Sequence, residues 1–233
     1  MKTIIFNIDG RECKAKEGNT LTVAAGDNDI YIPTLCDFKG MHPVGTCRVC
    51  ICRINGSFGA ACTTIVEEGM IVESDSSEIN NLRKAMIEML FVEGNHQCSI
   101  CEKSGNCELQ ALAYKYQLLV PRFPYLFQVR KIKNLTHNMH VDTNRCIQCL
   151  RCVRGLKNSH GKAVFKMSRV HKYLELDIIS GMENSITDEF VTKASKICPV
   201  GAILDKGKGY KTPIGKRRFD HSVIGSDIHK ENK

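Results

Sequence analysis

The sequence predicts an α+β fold built from small modules in succession, and three observations predict it. The first 75 residues alternate short β-prone runs with turn dipeptides. One amphipathic stretch over residues 76–93 then carries a helical apolar period. Eleven of the thirteen cysteines fall into three separate groups along the chain. A chain of 233 residues allows one large domain or two to three small ones. Small modules need less apolar core when bound metal supplies folding free energy.

Thr3–Ile8 reads as a strand, Asp9-Gly10 as a hairpin turn and Arg11–Ala15 as the partner strand. A short helix follows near Thr20–Ala25. Cys36 to Cys50 lie in an irregular stretch. Cys50–Ile54 and Ser57–Ala61 flank Asn55-Gly56, a second hairpin signal, and Met70–Glu73 closes the set. Hairpin, helix, cysteine loop and hairpin is the order of a β-grasp ferredoxin. In the helix over 76–93, Asp75 is expected as N-cap with Glu78 three residues on. Ile79, Leu82, Met86, Met89 and Leu90 form its apolar stripe, and Gly94 stops it. Glu108–Tyr116 is a further helix, and Pro121 and Pro124 mark a linker. The expected boundaries are 1–78, 79–136 and 137–208, with 209–233 an extended basic tail.

An odd number of cysteines with C-x-x-C pairs suits metal better than disulfides and points to a reducing compartment. The start of the chain shows no signal peptide, and no stretch reaches the ~18 uncharged apolar residues of a membrane span. A cytoplasmic protein is expected. The formal charge is +8. Three iron–sulfur cores of about +2 each, held by eleven thiolates, bring the loaded protein nearer +3. The run Lys206–Arg218 stays basic, as a solvated tail or a docking surface for an acidic partner. No RNA-binding or zinc-finger spacing supports a nucleic-acid partner.

The first group, Cys36, Cys47, Cys50 and Cys62, has the spacing C-x10-C-x2-C-x11-C. Two irons need four terminal thiolates, and a 2Fe-2S core suits a wrapping loop plus one remote ligand. Gly40 and Gly45 let that loop turn its N–H groups toward the sulfides. C-x2-C pairs also hold zinc; the surrounding β-grasp pattern argues for the cluster. Cys13 and Cys52 sit in predicted strands and read as small buried hydrophobes.

The second group is Cys98, Cys101 and Cys107, with His96 close by. Three cysteines leave a 4Fe-4S cube one ligand short. Either His96 fills the place, or a distant group or nothing does. Here a resemblance enters. Residues 94–110 resemble the cluster segment of the NADH dehydrogenase 75-kDa subunit family, which has one His and three Cys ligands. More narrowly, Glu-Gly-Asn-His-x-Cys and Glu-Lys-Ser-Gly-Asn-Cys resemble the small diaphorase subunits of NAD-reducing NiFe hydrogenases. In the wider family three residues separate the His from the first Cys. The matching position here is Gly94, and His96 has one intervening residue.

The third group is Cys146, Cys149 and Cys152, a C-x2-C-x2-C run, with Cys198-Pro199 remote. In two-cluster ferredoxins each run ends x3-C-P, and that fourth Cys binds the other cluster. The four ligand positions of a second cluster hold Leu156, Asp188, Val191 and Ala194. The sequence looks like a two-cluster ferredoxin module reduced to one cube.

No G-x-G-x-x-G follows a strand, no Walker loop is present, and no Ser/His/Asp or Cys/His set stands apart from the clusters. A chain of one-electron carriers with no substrate site hands electrons between partners. The resemblance covers residues 1–218. It implies a 2Fe-2S domain, a small helical 4Fe-4S domain with one His and three Cys ligands, and a ferredoxin-like 4Fe-4S domain with four Cys ligands. It also implies an electron-transfer subunit, without catalytic residues of its own, in a hetero-oligomeric oxidoreductase. The partners would be an FMN- and NAD-binding diaphorase large subunit and the small and large NiFe hydrogenase subunits. The alternatives are the same relay in an NAD-dependent formate dehydrogenase or a complex I-like NADH dehydrogenase, and, from another class, a zinc-bound structural or nucleic-acid-binding protein. Respiratory members usually continue into a large C-terminal domain, which favours the hydrogenase.

Overall fold

The computed structural model describes residues 2–170 and 173–228. The chain forms two compact units. The first takes residues up to Glu88, Leu112–Leu119 and the chain from Val223 on; the second takes Met89–Ala111 and Val120–Ser222.

In the first unit, β1 (Thr3–Ile8) and β2 (Arg11–Lys16) form an antiparallel hairpin. Asp9 and Gly10 both have positive φ (52° and 82°), the conformation that two-residue hairpins with right-handed strand twist require. Helix α1 (Leu21–Asp27) follows. After the cysteine loop come β3 (Ile51–Ile54), β4 (Ser57–Ala60) and β5 (Ile71–Glu73). Asn55 and Gly56 repeat the double positive-φ turn between β3 and β4. The five strands make one sheet in the order β2-β1-β5-β3-β4. Only β1 and β5 pair in parallel, in the middle, as the β-grasp arrangement requires. Period-two alternation buries Ile4, Phe6 and Ile8 of β1 and Cys13 and Ala15 of β2, and Leu21, Ala24 and Ala25 of α1 join the same core. Cys52 is fully buried there too.

Helix α2 (Ser77–Glu93) departs from expectation in two ways. Its cap is Ser76, not Asp75: the Ser76 hydroxyl accepts from the Ile79 N–H. Asp75 accepts instead from the Asn80 amide, and Glu78 pairs with Arg53. The buried face is also rotated. It runs through Ile79, Arg83 and Ile87, whereas Met89 is 40% exposed. Arg83 hides its charge by donating to the carbonyls of Ser74 (2.7 Å) and Ile51 (2.9 Å) and to Cys52 Sγ (3.5 Å). A cation whose two Nη groups are bonded can therefore stand in an apolar stripe, although its Nε is buried without a partner.

In the second unit, α3 (Glu108–Lys115) begins directly after Cys107 and runs on into the first. Strands β6 (Ile132–Asn134) and β7 (Met139–Asp142) pair antiparallel. Then follow α4 (Arg151–Gly155), the hairpin β8 (Phe165–Val170) with β9 (Tyr173–Ile178), α5 (Asp188–Ile197) and β10 (Ile203–Asp205). β10 joins β7 to give a sheet ordered β10-β7-β6. Thr187 caps α5 by accepting from the Phe190 N–H.

The stretch from Tyr210, expected as an extended tail, is instead pinned to the loop Cys101–Cys107 through Ser222. The Phe219 N–H donates to the Gly105 carbonyl (2.9 Å), the Arg218 N–H to Asn106 Oδ1 (3.0 Å) and the Arg217 guanidinium to the Ser104 carbonyl (3.3 Å). Gly105 has φ +76°, and a Cβ there would lie 2.2 Å from Arg217 Nε, so the position needs glycine. Further on, Ile224 is buried and Gly225 lies against the Tyr31 ring in the first unit. Residues 229–233 of the expected tail lie outside the described residues.

Asp9 ties the first hairpin to the start of α2. Its carboxylate accepts from the Ser74 N–H (2.6 Å) and the Ser74 hydroxyl (2.5 Å), and Ser74 is 3% exposed. Asp9→Ala strands both donors and is expected to destabilise the chain by about 1–3 kcal/mol. Asp9→Asn, which keeps an acceptor, is expected to lose less. Urea unfolding followed by circular dichroism checks the order.

Candidate metal centres

In the first centre, Cys36, Cys47, Cys50 and Cys62 are all buried, and they close into two pairs. Cys47 Sγ lies 3.4 Å from Cys36 Sγ, and Cys50 Sγ lies 3.4 Å from Cys62 Sγ. The loop reaches this arrangement through left-handed turns at Gly40, Gly45 and Arg48. Gly45 is also crowded: a Cβ there would sit 3.3 Å from Thr63 Cγ2. The thiols divide into donors and acceptors. Hydrogen bonds from their neighbours lower Cys36 and Cys50, and donation to those acceptors, with burial, raises Cys47 and Cys62. Two pairs of thiols suit two irons, one pair each.

The second centre is one cavity shared by His96, Cys98, Cys101 and Cys107. Each donor has a local cause. Cys98 opens a short 3-10 turn, Cys101 ends it, and Cys107 immediately precedes α3. The His96 ring stands edge-on to Phe91, 5.3 Å between centroids. Its Nε2 is buried and has no hydrogen-bond partner in the protein. A backbone bond to Leu90 takes up the other ring nitrogen. Burial, and then the Arg145 charge, push the His96 pKa down to about 4, so the imidazole is neutral at pH 7. A neutral, buried nitrogen with a free lone pair, oriented by a carbonyl, is the form in which histidine binds metal.

Gly94 makes room for the His96 ring. A Cβ at residue 94 would lie 2.5 Å from His96 Nε2. The imidazole occupies the space that a side chain at position 94 would need.

In the third centre, Cys146, Cys149, Cys152 and Cys198 line one cavity with apolar walls that include Ile147, Leu150, Val200 and Met167. The run winds through left-handed Gln148 and Leu150, and α5 ends at Cys198. Burial raises Cys146 to about 11, Cys149 to about 12 and Cys152 well above its usual value, and in the second centre it raises Cys107 to about 12. These thiols give up their protons only to a strongly positive core. At the positions of the missing cluster, Leu156, Val191 and Ala194 are fully buried. Asp188 is exposed at the start of α5 and accepts from the Asn138 amide.

Among the described residues, no three His, Cys, Asp or Glu side chains converge on a single-ion site. The donor chemistry of all three centres, rich in thiols, fits iron–sulfur clusters, and the third is also walled by apolar residues.

Missed by sequence reasoning was Arg145. Its Nη1 donates to Cys101 Sγ (3.5 Å) and Nε pairs with Asp142 (2.9 Å). Its position one residue before Cys146 was the available signal.

Comparisons with known proteins agree along the chain. Residues 1–77 match a 2Fe-2S iron-sulfur cluster binding domain. Residues 83–122 match the NADH-ubiquinone oxidoreductase-G iron-sulfur binding region. Residues 137–204 match the ferredoxin-like domain of NADH-quinone oxidoreductase subunit 3. The chain is 41% identical to the gamma subunit of the NAD-reducing hydrogenase HoxS of Cupriavidus necator, over 99% of this chain and all of that one. It is 30% identical to the G subunit of the NADH-quinone oxidoreductase of Rickettsia felis over 98% of this chain, but spans only 34% of that protein. A crystal structure of an NAD+-reducing [NiFe]-hydrogenase in the H2-reduced state contains a chain that superposes with a TM-score of 0.86, at 36% identity over 94% of both chains. The mixed helix-and-sheet fold, with a 2Fe-2S domain and 4Fe-4S ferredoxin-like domains, follows from these matches and the topology together.

Gly94→Ala is expected to displace His96 and weaken the second centre. Iron and acid-labile sulfide per chain should fall toward the content of the other two centres alone. Gly26→Ala, where an added Cβ meets nothing within 4 Å, serves as the control and should leave both unchanged.

Proposed function

We infer the role of this chain from the family to which it belongs, that of the HoxS gamma chain of NAD-reducing hydrogenase: it is an iron–sulfur electron-transfer subunit of an oxidoreductase complex. The observation that carries this reading is identity sustained at 41% over essentially the whole of both chains, across all three centres. We propose the finer assignment as follows. Cys36, Cys47, Cys50 and Cys62 hold one 2Fe-2S cluster. His96, Cys98, Cys101 and Cys107 hold a 4Fe-4S cluster, and Cys146, Cys149, Cys152 and Cys198 hold a second. The three modules run over 1–78, 79–136 and 137–208. The chain relays electrons, in either direction, between NiFe hydrogenase subunits and a diaphorase subunit that binds FMN and NAD.

Bound iron–sulfur clusters supply one-electron transfer, which hydride chemistry at NAD lacks until a flavin intervenes. The chain's residues do the rest. Paired thiols set the positions of two irons in the first centre. His96 offers a neutral donor in place of a thiolate, which removes one negative charge and favours the reduced state. Ile147, Leu150 and Val200 keep water from the third centre. A cytoplasmic site suits thirteen free cysteines. No described helix is long and apolar enough to cross a membrane.

The second reading, a relay in a formate dehydrogenase or a complex I-like enzyme, draws on the 30% identity to the NADH-quinone oxidoreductase chain. Anaerobic co-purification decides. Nickel, flavin and hydrogen-dependent NAD reduction travelling with the chain support the hydrogenase assignment, whereas molybdenum with formate oxidation overturns it. Within the complex, His96→Cys is expected to keep a 4Fe-4S cluster and lower its potential. An unchanged potential and spectrum would remove His96 from the ligand set. A redox titration monitored by electron paramagnetic resonance reads the outcome.

A further inference from the structure

One half-buried cation touches the second centre directly. Arg145 Nη1 lies 3.5 Å from Cys101 Sγ, 3.1 Å from Glu102 Oε2 and 3.5 Å from the Gly201 carbonyl. Its Nε is 2.9 Å from Asp142 Oδ2, and the Arg145 side chain is 14% exposed. The guanidinium is thus held from two sides by carboxylates and aims an N–H at a thiol of the cluster cavity. Gly201 makes room for the contact: a Cβ there would lie 2.7 Å from Cys101 Sγ.

We propose that Arg145 is a positioning residue for electron transfer that raises the reduction potential of the second centre, through a charged N–H···S bond to Cys101. The inference rests on His96, Cys98, Cys101 and Cys107 holding a 4Fe-4S core. Reduction adds one electron and makes the loaded site more negative by one charge. An arginine cannot give up its proton at any working pH, so its attraction is always present and is greater for the reduced site. Hydrogen bonds to ligand sulfurs and net charge are the levers by which a protein sets such potentials. Asp142 and Glu102 sharpen the effect. Without Arg145 both carboxylates lose their cation near the site, which further disfavours the added electron. Arg145 thus acts in the same direction as the neutral His96.

The test uses the assembled complex carrying Arg145→Gln, titrated by potential under electron paramagnetic resonance. The second-centre signal is identified as the one that His96→Cys shifts. Arg145→Gln is expected to lower that centre's reduction equilibrium constant about tenfold, or about 59 mV for one electron. The 2Fe-2S signal should stay in place. Full iron content with an unshifted second-centre potential would overturn the proposal. Should Arg145→Gln lose the cluster, Arg145→Lys decides. A lysine keeps the charge but cannot hold Asp142, Glu102 and Cys101 together, so a smaller fall supports the N–H···S bond and no fall overturns it. Failure of the ligand assignment looks different: the unsubstituted complex would then show no signal that responds to His96→Cys.

Discussion

The second unit depends on one constraint: the loops of its two cysteine-rich centres hold each other in place. The Glu108 N–H, one residue past Cys107, donates to the carbonyl of Pro199, one residue past Cys198 (2.8 Å). The Glu108 carboxylate pairs at 2.8 Å with Arg151, which lies between Cys149 and Cys152 and is 2% exposed. Gly201 presses on Cys101. Asn144, buried, accepts from the Arg130 N–H and donates to the Arg130 carbonyl, while its own carbonyl accepts from Asn95 beside His96. A buried ion pair such as Glu108–Arg151 adds little net stability. Breaking it costs about 3–5 kcal/mol, because the survivor is left charged and dry. Such pairs fix geometry rather than strength. Geometry is what an electron relay needs, because its donors must stay where they are in both oxidation states.

The same constraint explains why so little regular structure is needed around the centres. The segment from Gly94 to Cys107 holds one 3-10 turn and no strand. Its shape comes from neighbours on both sides. Arg145 and Gly201 press from one direction, and the strap from Tyr210 to Asp220 closes the other. Arg217 reaches the Ser104 carbonyl while Asp220 grips its guanidinium at 2.8 Å. A basic run that reads as a solvated tail is therefore a structural clasp. Net charge and the absence of a period carried no information about this, because the contacts are made to the Ser104 carbonyl and the Asn106 side chain of a loop more than 100 residues away.

Much of the first unit was legible because its signals are local. The Asp9-Gly10 and Asn55-Gly56 pairs adopt the double left-handed turns their chemistry favours, and β1 runs from Thr3 to Ile8 as its alternation predicts. Helix α2 was legible in extent but not in orientation. Apolar spacing placed Met89 inside and overlooked Arg83, because burial of a cation depends on carbonyls of Ser74 and Ile51, remote in sequence from the helix stripe. The cap moved from Asp75 to Ser76 for a related reason: the asparagine at position 80 engages the Asp75 carboxylate. The cysteine groups could be read as groups, since ligand spacing is a local property. Arg145 could not, because nothing in a single sequence says that it faces Cys101.

The four positions at which a two-cluster ferredoxin would carry a second ligand set are taken up by ordinary packing and helix-end chemistry. Leu156, Val191 and Ala194 are all fully buried, so three of the four serve the core. The fourth follows a different rule. Asp188 sits in the first turn of α5 and is exposed, where the helix dipole favours a carboxylate. Its side chain also receives the Asn138 amide, which links α5 to the turn before β7. Each residue thus matches the environment of its position.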